Sequence, residues 1–203
     1  MGLVQALLYD RLGAASEDAG LREERRRLLA RAHGEVLEIG AGTGANLELY
    51  PAGVTRLVAS EPDSAMARRL RRKARAARRP VEVLSAPAEA LPVAAGSFDT
   101  VVGTLVLCSV ADPGQVLAEV ARVLRPGGTY LFLEHVRGHE PRLAAWQDRL
   151  APLWGVVGGG CHPNRATLAT LRASPLTVAE VSEGELPRTL PLVRPRISGV
   201  AER

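Results

Sequence analysis

The chain has 203 residues, 46% of them hydrophobic, with 26 basic and 22 acidic side chains and a formal net charge of +4. That is enough apolar material for one domain with a real core and too little length for a second, so residues 1–203 are expected to fold as a single unit. Lys73 is the only lysine, so the positive balance reflects arginine-rich composition, and no nucleic-acid partner is expected. Two cysteines, Cys108 and Cys161, with no C-x-x-C pair, argue against a disulfide scaffold and suit a cytoplasmic setting.

In chain order, residues 1–33 read as a helical cap. Leu7, Leu8 and Leu12 share a face, and the polar run LREERRRLLARAH follows as a solvated helix. The leading MGLVQALLYDRL is broken by Gln5 and Asp10, too short for a membrane span or a secretory signal. Residues 34–135 alternate strands and helices. The first strand runs into VLEIGAGTG, Val36 to Gly44, where Gly40, Gly42 and Gly44 let the backbone take positive φ and let a ligand approach the main chain. A turn of this kind is a nucleotide site formed by Gly40, Ala41, Gly42, Thr43 and Gly44, and Asn46 to Tyr50 is expected to continue it as a short helix stopped by Pro51.

Two cofactors suit the turn. Gly40, Gly42 and Ala45 satisfy the G-x-G-x-x-G/A pattern of dinucleotide binders, with Glu61 about 20 residues on. Glu38 favours the other reading, because an unpaired carboxylate inside a dry strand would cost several kcal/mol. The ammonium and sulfonium of S-adenosylmethionine offer it a partner.

Strand two, Arg56 to Glu61, ends in an acid placed to accept from two ribose hydroxyls, with Pro62 directly after it. Asp63 or Ser64 caps the next helix, Ala65 to Arg79, which carries eight basic residues and no acid (Arg68, Arg69, Arg71, Arg72, Lys73, Arg75, Arg78 and Arg79). That face reads as solvated surface or as weak contact with anionic lipid at a membrane periphery. Strand three is Val81 to Leu84. The loop after it holds Ala88 and Glu89.

Strand four, Phe98 to Val110, is a continuous apolar run covered on both faces, with Thr104 and Leu105 brought beside the glycine turn. Asp112, Pro113 and Gln115 form a helix start with a closed capping box, Val116, Leu117, Val120, Val123 and Leu124 make the buried face, and RPGG ends the helix. Strand five, Thr129 to Glu134, leaves His135 at its tip as a candidate general base or a loop histidine bonding a carbonyl. Residues 136–203 add helices over Arg142 to Trp154 and Asn164 to Ala173, joined by VVGGGCHPN, and strands over Leu176 to Val181 and Ile197 to Ala201. Cys161 and His162 are adjacent, poor spacing for two ligands of one ion, so no metal is expected. Cys108 reads as a small buried hydrophobe.

The E-x-G-x-G-x-G spacing resembles the cofactor motif of class I S-adenosylmethionine-dependent methyltransferases. GTGANLELYP, FDTVVGTLVLCSV, VLRPGGTYLFLEHV, GGGCHPNR and LVRPRISGVA are similar to the thiol S-methyltransferase branch of that family from about Leu37 onward. The resemblance implies an α/β fold: a seven-stranded, mostly parallel Rossmann-like sheet with helices on both faces and an antiparallel last strand. Residues 34–135 would then be the cofactor half and residues 136–203 the substrate half. It also implies S-adenosylmethionine as cofactor and a small acceptor, a thiol in first place. The wall of Leu143, Trp146, Leu150, Leu153 and Trp154 after strand five suits an apolar one. Two departures stand out: Pro87 occupies the place of the usual adenine-binding acid, so the resemblance leaves the adenine side to Ala88 and Glu89, and the amino-terminal segment lacks the apolar anchor of animal members. Quinone C-methyltransferases and phospholipid N-methyltransferases share the broader motifs. A nicotinamide-dependent oxidoreductase or a non-catalytic cofactor-binding partner would share the turn.

Overall fold

The structure, a computed structural model, describes residues 15–203, and the Leu7, Leu8 and Leu12 face lies outside them. A π-helical turn, Glu17–Leu21, leads into helix α1, Arg22–Leu29. Strands β1 (Gly34–Ile39), β2 (Val54–Ser60), β3 (Val81–Leu84), β4 (Phe98–Thr104) and β5 (Leu124–His135) follow, with helix α2 (Ser64–Ala76) after β2 and helix α3 (Pro113–Val123) after β4. Helices α4 (Pro141–Val157) and α5 (Thr167–Arg172) precede β6 (Thr177–Glu185), a 3-10 turn at Pro191–Val193 and β7 (Pro195–Glu202).

Among the described residues these strands form one seven-stranded sheet in the order β3-β2-β1-β4-β5-β7-β6. The first five pair in parallel, while β7 lies antiparallel to both β5 and β6. This is the expected α/β architecture. The chain steps outward from β1 to β3 and then returns to β4, so strand order reverses between β1 and β4. In open α/β sheets the crevice beyond the carboxyl ends at such a point is where ligands bind.

Side-chain alternation on each strand builds two cores. Leu37, Ile39, Val101, Tyr130 and Phe132 face one side, where Val116, Leu117 and Val120 of α3 and Leu171 of α5 cover them. Val36, Val102, Leu131 and Leu133 face the other, under Leu28 and Leu29 of α1 and Leu70 of α2. Glu38 shares the second face, which brings it under α1.

Local departures from the sequence expectations have identifiable causes. Asn46 to Tyr50 forms turns rather than a helix, because Asn46 and Tyr50 turn their side chains inward to Glu38 and Pro51 follows at once. β4 stops at Thr104 because Leu105 takes a φ of 60° and bends the chain out of the sheet. β5 begins at Leu124, taking RPGG into the strand, and β6 runs on to Glu185. α2 starts on its Asp63 cap and ends at Ala76, since Ala77 is extended; Arg79 lies beyond it and donates to the carbonyls of Tyr50, Pro51 and Val54. The α3 capping box is left open, because the Gln115 amide donates to the Glu89 carbonyl.

The β5–β7–β6 edge depends on one close approach. A Cβ on Gly199 would stand 2.0 Å from the Glu180 carbonyl oxygen and 2.8 Å from the Phe132 ring. Gly199→Ala should therefore lower the urea-unfolding free energy by about 1–3 kcal/mol. Gly53→Ala, with nothing within 4 Å, should change it by less than about 0.5 kcal/mol.

Candidate active site

The site is built at the carboxyl ends of β1, β2 and β4. Gly40, Gly42 and Gly44 have φ of 57°, 57° and 82°. At Gly40 a Cβ would stand 2.7 Å from the Val106 side chain, so this glycine serves the close packing of the loop after β4. At Gly42 a Cβ would meet nothing within 4 Å, so the turn faces open space in a left-handed conformation. That hollow is a cradle a side chain would fill. Ala41 and Thr43 lie buried behind it, and the Ala41 N–H donates to the Ser60 carbonyl.

Glu38 does not reach the hollow. Its two oxygens accept from Asn46 Nδ2 at 2.9 Å and from the Tyr50 hydroxyl at 2.8 Å, and it is 2% exposed. The direct ligand contact expected from the sequence is replaced by a buried network. Asn46 Nδ2 also donates to Thr104 Oγ1 at 3.0 Å, and Arg25 of α1 donates to Thr104 Oγ1 at 2.6 Å and to Asn46 Oδ1 at 3.2 Å. Glu17 pairs with Arg25 at 2.9 Å. Arg25 is the residue the sequence reading missed. Its signal was spacing: Leu21, Leu28, Leu29 and Ala32 are buried, and Arg25 stands four residues from Leu21 and from Leu29, on the same face.

Glu61 sits just past the tip of β2. Oε2 accepts from the Gly42 N–H and Oε1 from the Asp63 N–H, both at 2.8 Å, and burial raises its pKa against those two bonds. A carboxylate has about four lone-pair sites, so acceptor capacity remains for a diol. Pro62 follows at the rim, exposed. Ser60 Oγ donates to the Ala86 carbonyl at 2.7 Å, which ties the loop carrying Ala88 and Glu89 to β2. Ala88 is buried, and the Glu89 carboxylate accepts from the Ala111 N–H at 2.9 Å, which gives that side chain a structural partner. Thr104 and Leu105 stand at the tip of β4, where the Leu105 N–H donates to the Leu133 carbonyl at 2.7 Å. The open turn at Gly42 and the two-oxygen acceptor of Glu61 fit an adenosine cofactor with a ribose diol.

A second cluster lies at the tip of β5. Glu134 is fully buried, and its Oε1 accepts from the Val106 and Leu107 N–H groups at 2.9 and 3.0 Å while burial raises its pKa to about 7. His135 is 5% exposed; its Nε2 is 2.9 Å from Cys161 Sγ, and its Nδ1 is buried without a hydrogen-bond partner. The Trp154 indole donates to the same sulfur at 3.2 Å. Hydrogen bonds from Cys108, His135 and Trp154 outweigh burial and hold the Cys161 thiol down to about 4. Cys108 is pushed up, first by its bond to Cys161 and then by burial, and at 2% exposed it is the small buried side chain expected, with the Cys161 sulfur beside it as the added feature. His162 is exposed, and the side chains that converge are those of Cys108, His135 and Cys161.

Beyond Trp154 an apolar groove of about 490 Å³ runs between α4 and the 3-10 turn. Leu143, Trp146, Leu150, Leu153 and Trp154 line one wall, with Leu190, Pro191 and Leu192 opposite.

Comparison with known proteins identifies a family for the chain. Residues 37–132 match the family described as "Methyltransferase domain". The human thiol S-methyltransferases TMT1A and TMT1B are 37% and 39% identical over 171 residues, 82% of this chain and 69% of theirs. The structure of geranyl diphosphate C-methyltransferase from Streptomyces coelicolor, in complex with S-adenosyl-L-homocysteine, superposes with a TM-score of 0.69 at 16% identity. The match covers 90% of this chain and 76% of that one.

Two predictions follow from the turn and its support. Gly42→Val should abolish S-adenosylhomocysteine binding in calorimetry with the circular dichroism spectrum unchanged, and Glu61→Ala should weaken it by about 1.5–3 kcal/mol. The second concerns Glu38, whose pKa burial raises from 4.5 to about 7 against the bonds from Tyr50 and Asn46 and the charge of Arg25. A folded value above the unfolded one favours the protonated carboxyl in the fold. Its contribution to stability is then full below pH 4.5 and is lost as pH rises through 7. Urea unfolding of wild type and Glu38→Gln across that range should show the wild-type advantage falling by a few kcal/mol and then levelling, given about 1.4 kcal/mol per tenfold proton-affinity change.

Proposed function

The chain belongs to the class I S-adenosylmethionine-dependent methyltransferases, on the branch of the thiol S-methyltransferases, and on that premise we propose that it methylates the sulfur of a small apolar thiol. The observation that carries this reading is the groove: its lining side chains are apolar, and one of them, Trp154, is hydrogen-bonded to Cys161 beside His135. Burial of apolar surface contributes about 25 cal/mol per Å², whereas a polar head would find few partners on such a wall. The names of the human relatives point to the same acceptor class.

S-adenosylmethionine supplies a methyl group activated on a sulfonium, so the acceptor's S–C bond forms as the donor's S–CH3 bond breaks, and the thiol proton leaves to solvent. Glu61 would hold the ribose hydroxyls, the Gly40–Gly44 backbone with Pro62 would flank the adenosine, and Ala88 and Glu89 would border the adenine. Thr104, Leu105 and Asn46 would shape the methionine end, with Glu38 and Arg25 holding them in place. Alignment of donor and acceptor can contribute roughly 7–11 kcal/mol, so no nucleophilic triad is required. His135 has Nε2 committed to Cys161, which speaks against a free general base. A thiol of pKa about 8.5 is partly ionised near neutrality and needs only modest help.

For its setting we propose the cytoplasm, with weak attachment to anionic lipid through the exposed Arg68, Arg72, Lys73 and Arg75 of α2. Among the described residues no helix is long and apolar enough to cross a membrane. Flotation with acidic liposomes should be lost at high salt, and recovery in the soluble fraction with acidic and neutral vesicles alike would count against the attachment.

The acceptor is tested by turnover on thiols, phenols, amines and quinols, with product mass and fragmentation. Thiol methylation should dominate, and its rate should rise with pH toward the thiol pKa. Turnover of a quinol or an amine with no thiol accepted would overturn the thiol reading.

A further inference from the structure

Three buried or half-buried groups from separate parts of the chain converge beyond the cofactor residues. Cys108 comes from the loop after β4, His135 from the tip of β5 and Cys161 from the loop after α4, and their ligating atoms all lie within 4.8 Å of one another. Each is held by its own framework. Glu134 fixes the backbone of Val106 and Leu107, and Arg165 reaches the Leu107 carbonyl. The His162 N–H donates to the Cys108 carbonyl at 2.8 Å, joining the two cysteine loops. Trp154 donates to Cys161 Sγ, as supporting N–H groups do around ligating sulfurs.

Two sulfurs and an imidazole nitrogen are the donor set of a borderline-soft divalent ion. Zinc binds sulfur at about 2.3 Å and nitrogen at about 2.0–2.1 Å, so tetrahedral ligands stand about 3.5–3.8 Å apart, within the spread seen here. We propose that Cys108, His135 and Cys161 form a three-ligand zinc site whose fourth position opens toward the apolar groove beside Trp154. Three protein ligands with one open position are the pattern of a catalytic zinc rather than a structural one. The role at the fourth position rests on the thiol reading above. There the acceptor thiol binds as a thiolate, its proton passing to solvent, and its sulfur keeps a lone pair for the new S–C bond.

The test uses tag-free protein purified under reductant, with zinc measured by mass spectrometry and the stripped protein titrated with Co²⁺. One metal per chain is expected, with intense tetrahedral visible bands and a sulfur-to-cobalt charge-transfer band. Cys161→Ser and Cys108→Ser should each weaken metal binding by at least about tenfold. Unchanged S-adenosylhomocysteine affinity in these variants shows that they are folded. Adding thiophenol to the cobalt form should strengthen the charge-transfer band, and no change would overturn the acceptor role. Absence of stoichiometric zinc and of any charge-transfer band would overturn the site, whether the groups then prove to be a Cys108–Cys161 disulfide or a bare thiolate–imidazole pair. Thiol methylation by metal-free protein leaves the acceptor reading standing and removes the metal. Bound metal with no thiol turned over does the reverse.

Discussion

A carboxylate inside a parallel strand is the constraint around which this molecule is arranged. Ionised and unpaired at that depth, Glu38 would cost several kcal/mol, so the surrounding chain supplies partners: the Asn46 amide, the Tyr50 hydroxyl and, through Asn46 and Thr104, the Arg25 guanidinium. Those partners come from the segment after the glycine turn, the tip of β4 and the cap helix. Satisfying one buried group therefore fixes the positions of three elements relative to β1. The turn is held from the other side as well, where Glu61 accepts the Gly42 N–H, so its left-handed glycines are fixed before any ligand arrives.

A second buried acid organises the acceptor side. Glu134 accepts two N–H groups just after Leu105 bends the chain out of β4, which turns what would have been further strand into the loop that carries Cys108. The residue after Glu134 is His135, and the loop after α4 is tied to the same place through His162. The two halves of the site are chemically distinct. Hard oxygen acceptors and open backbone stand at the glycine turn, and polarisable sulfur and imidazole meet the indole of Trp154, which also lines the apolar groove.

The basic helix divides in a similar way. Arg79, read as one more member of a charged run, turns back to three backbone carbonyls and closes the link from the glycine turn to β2. Among the exposed bases of α2, Arg71 donates to Ser85 Oγ at 2.6 Å and so ties the helix to the loop after β3.

Much of the architecture was written in local pattern. The continuous apolar runs of β1 and β4, the Asp63 and Asp112 caps and the glycine spacing each depend on neighbours within a few residues, and periodicity reports such relations directly. The apolar wall of Leu143, Trp146, Leu150, Leu153 and Trp154 was legible for the same reason, since one helix carries it. What sequence reasoning could not supply were relations between distant segments. Arg25 looked like any other arginine in a polar run until α1 was laid over Glu38. Asn46 to Tyr50 looked helical until its side chains were needed inside. Cys108, His135 and Cys161 are separated by more than two dozen residues at each step, so no spacing along the chain links them. Local propensity thus determined most of the strands and helices and where the glycine turn lies. Only tertiary packing decided which charged and sulfur groups meet, because burial and pairing are properties of the assembled sheet and of no segment alone.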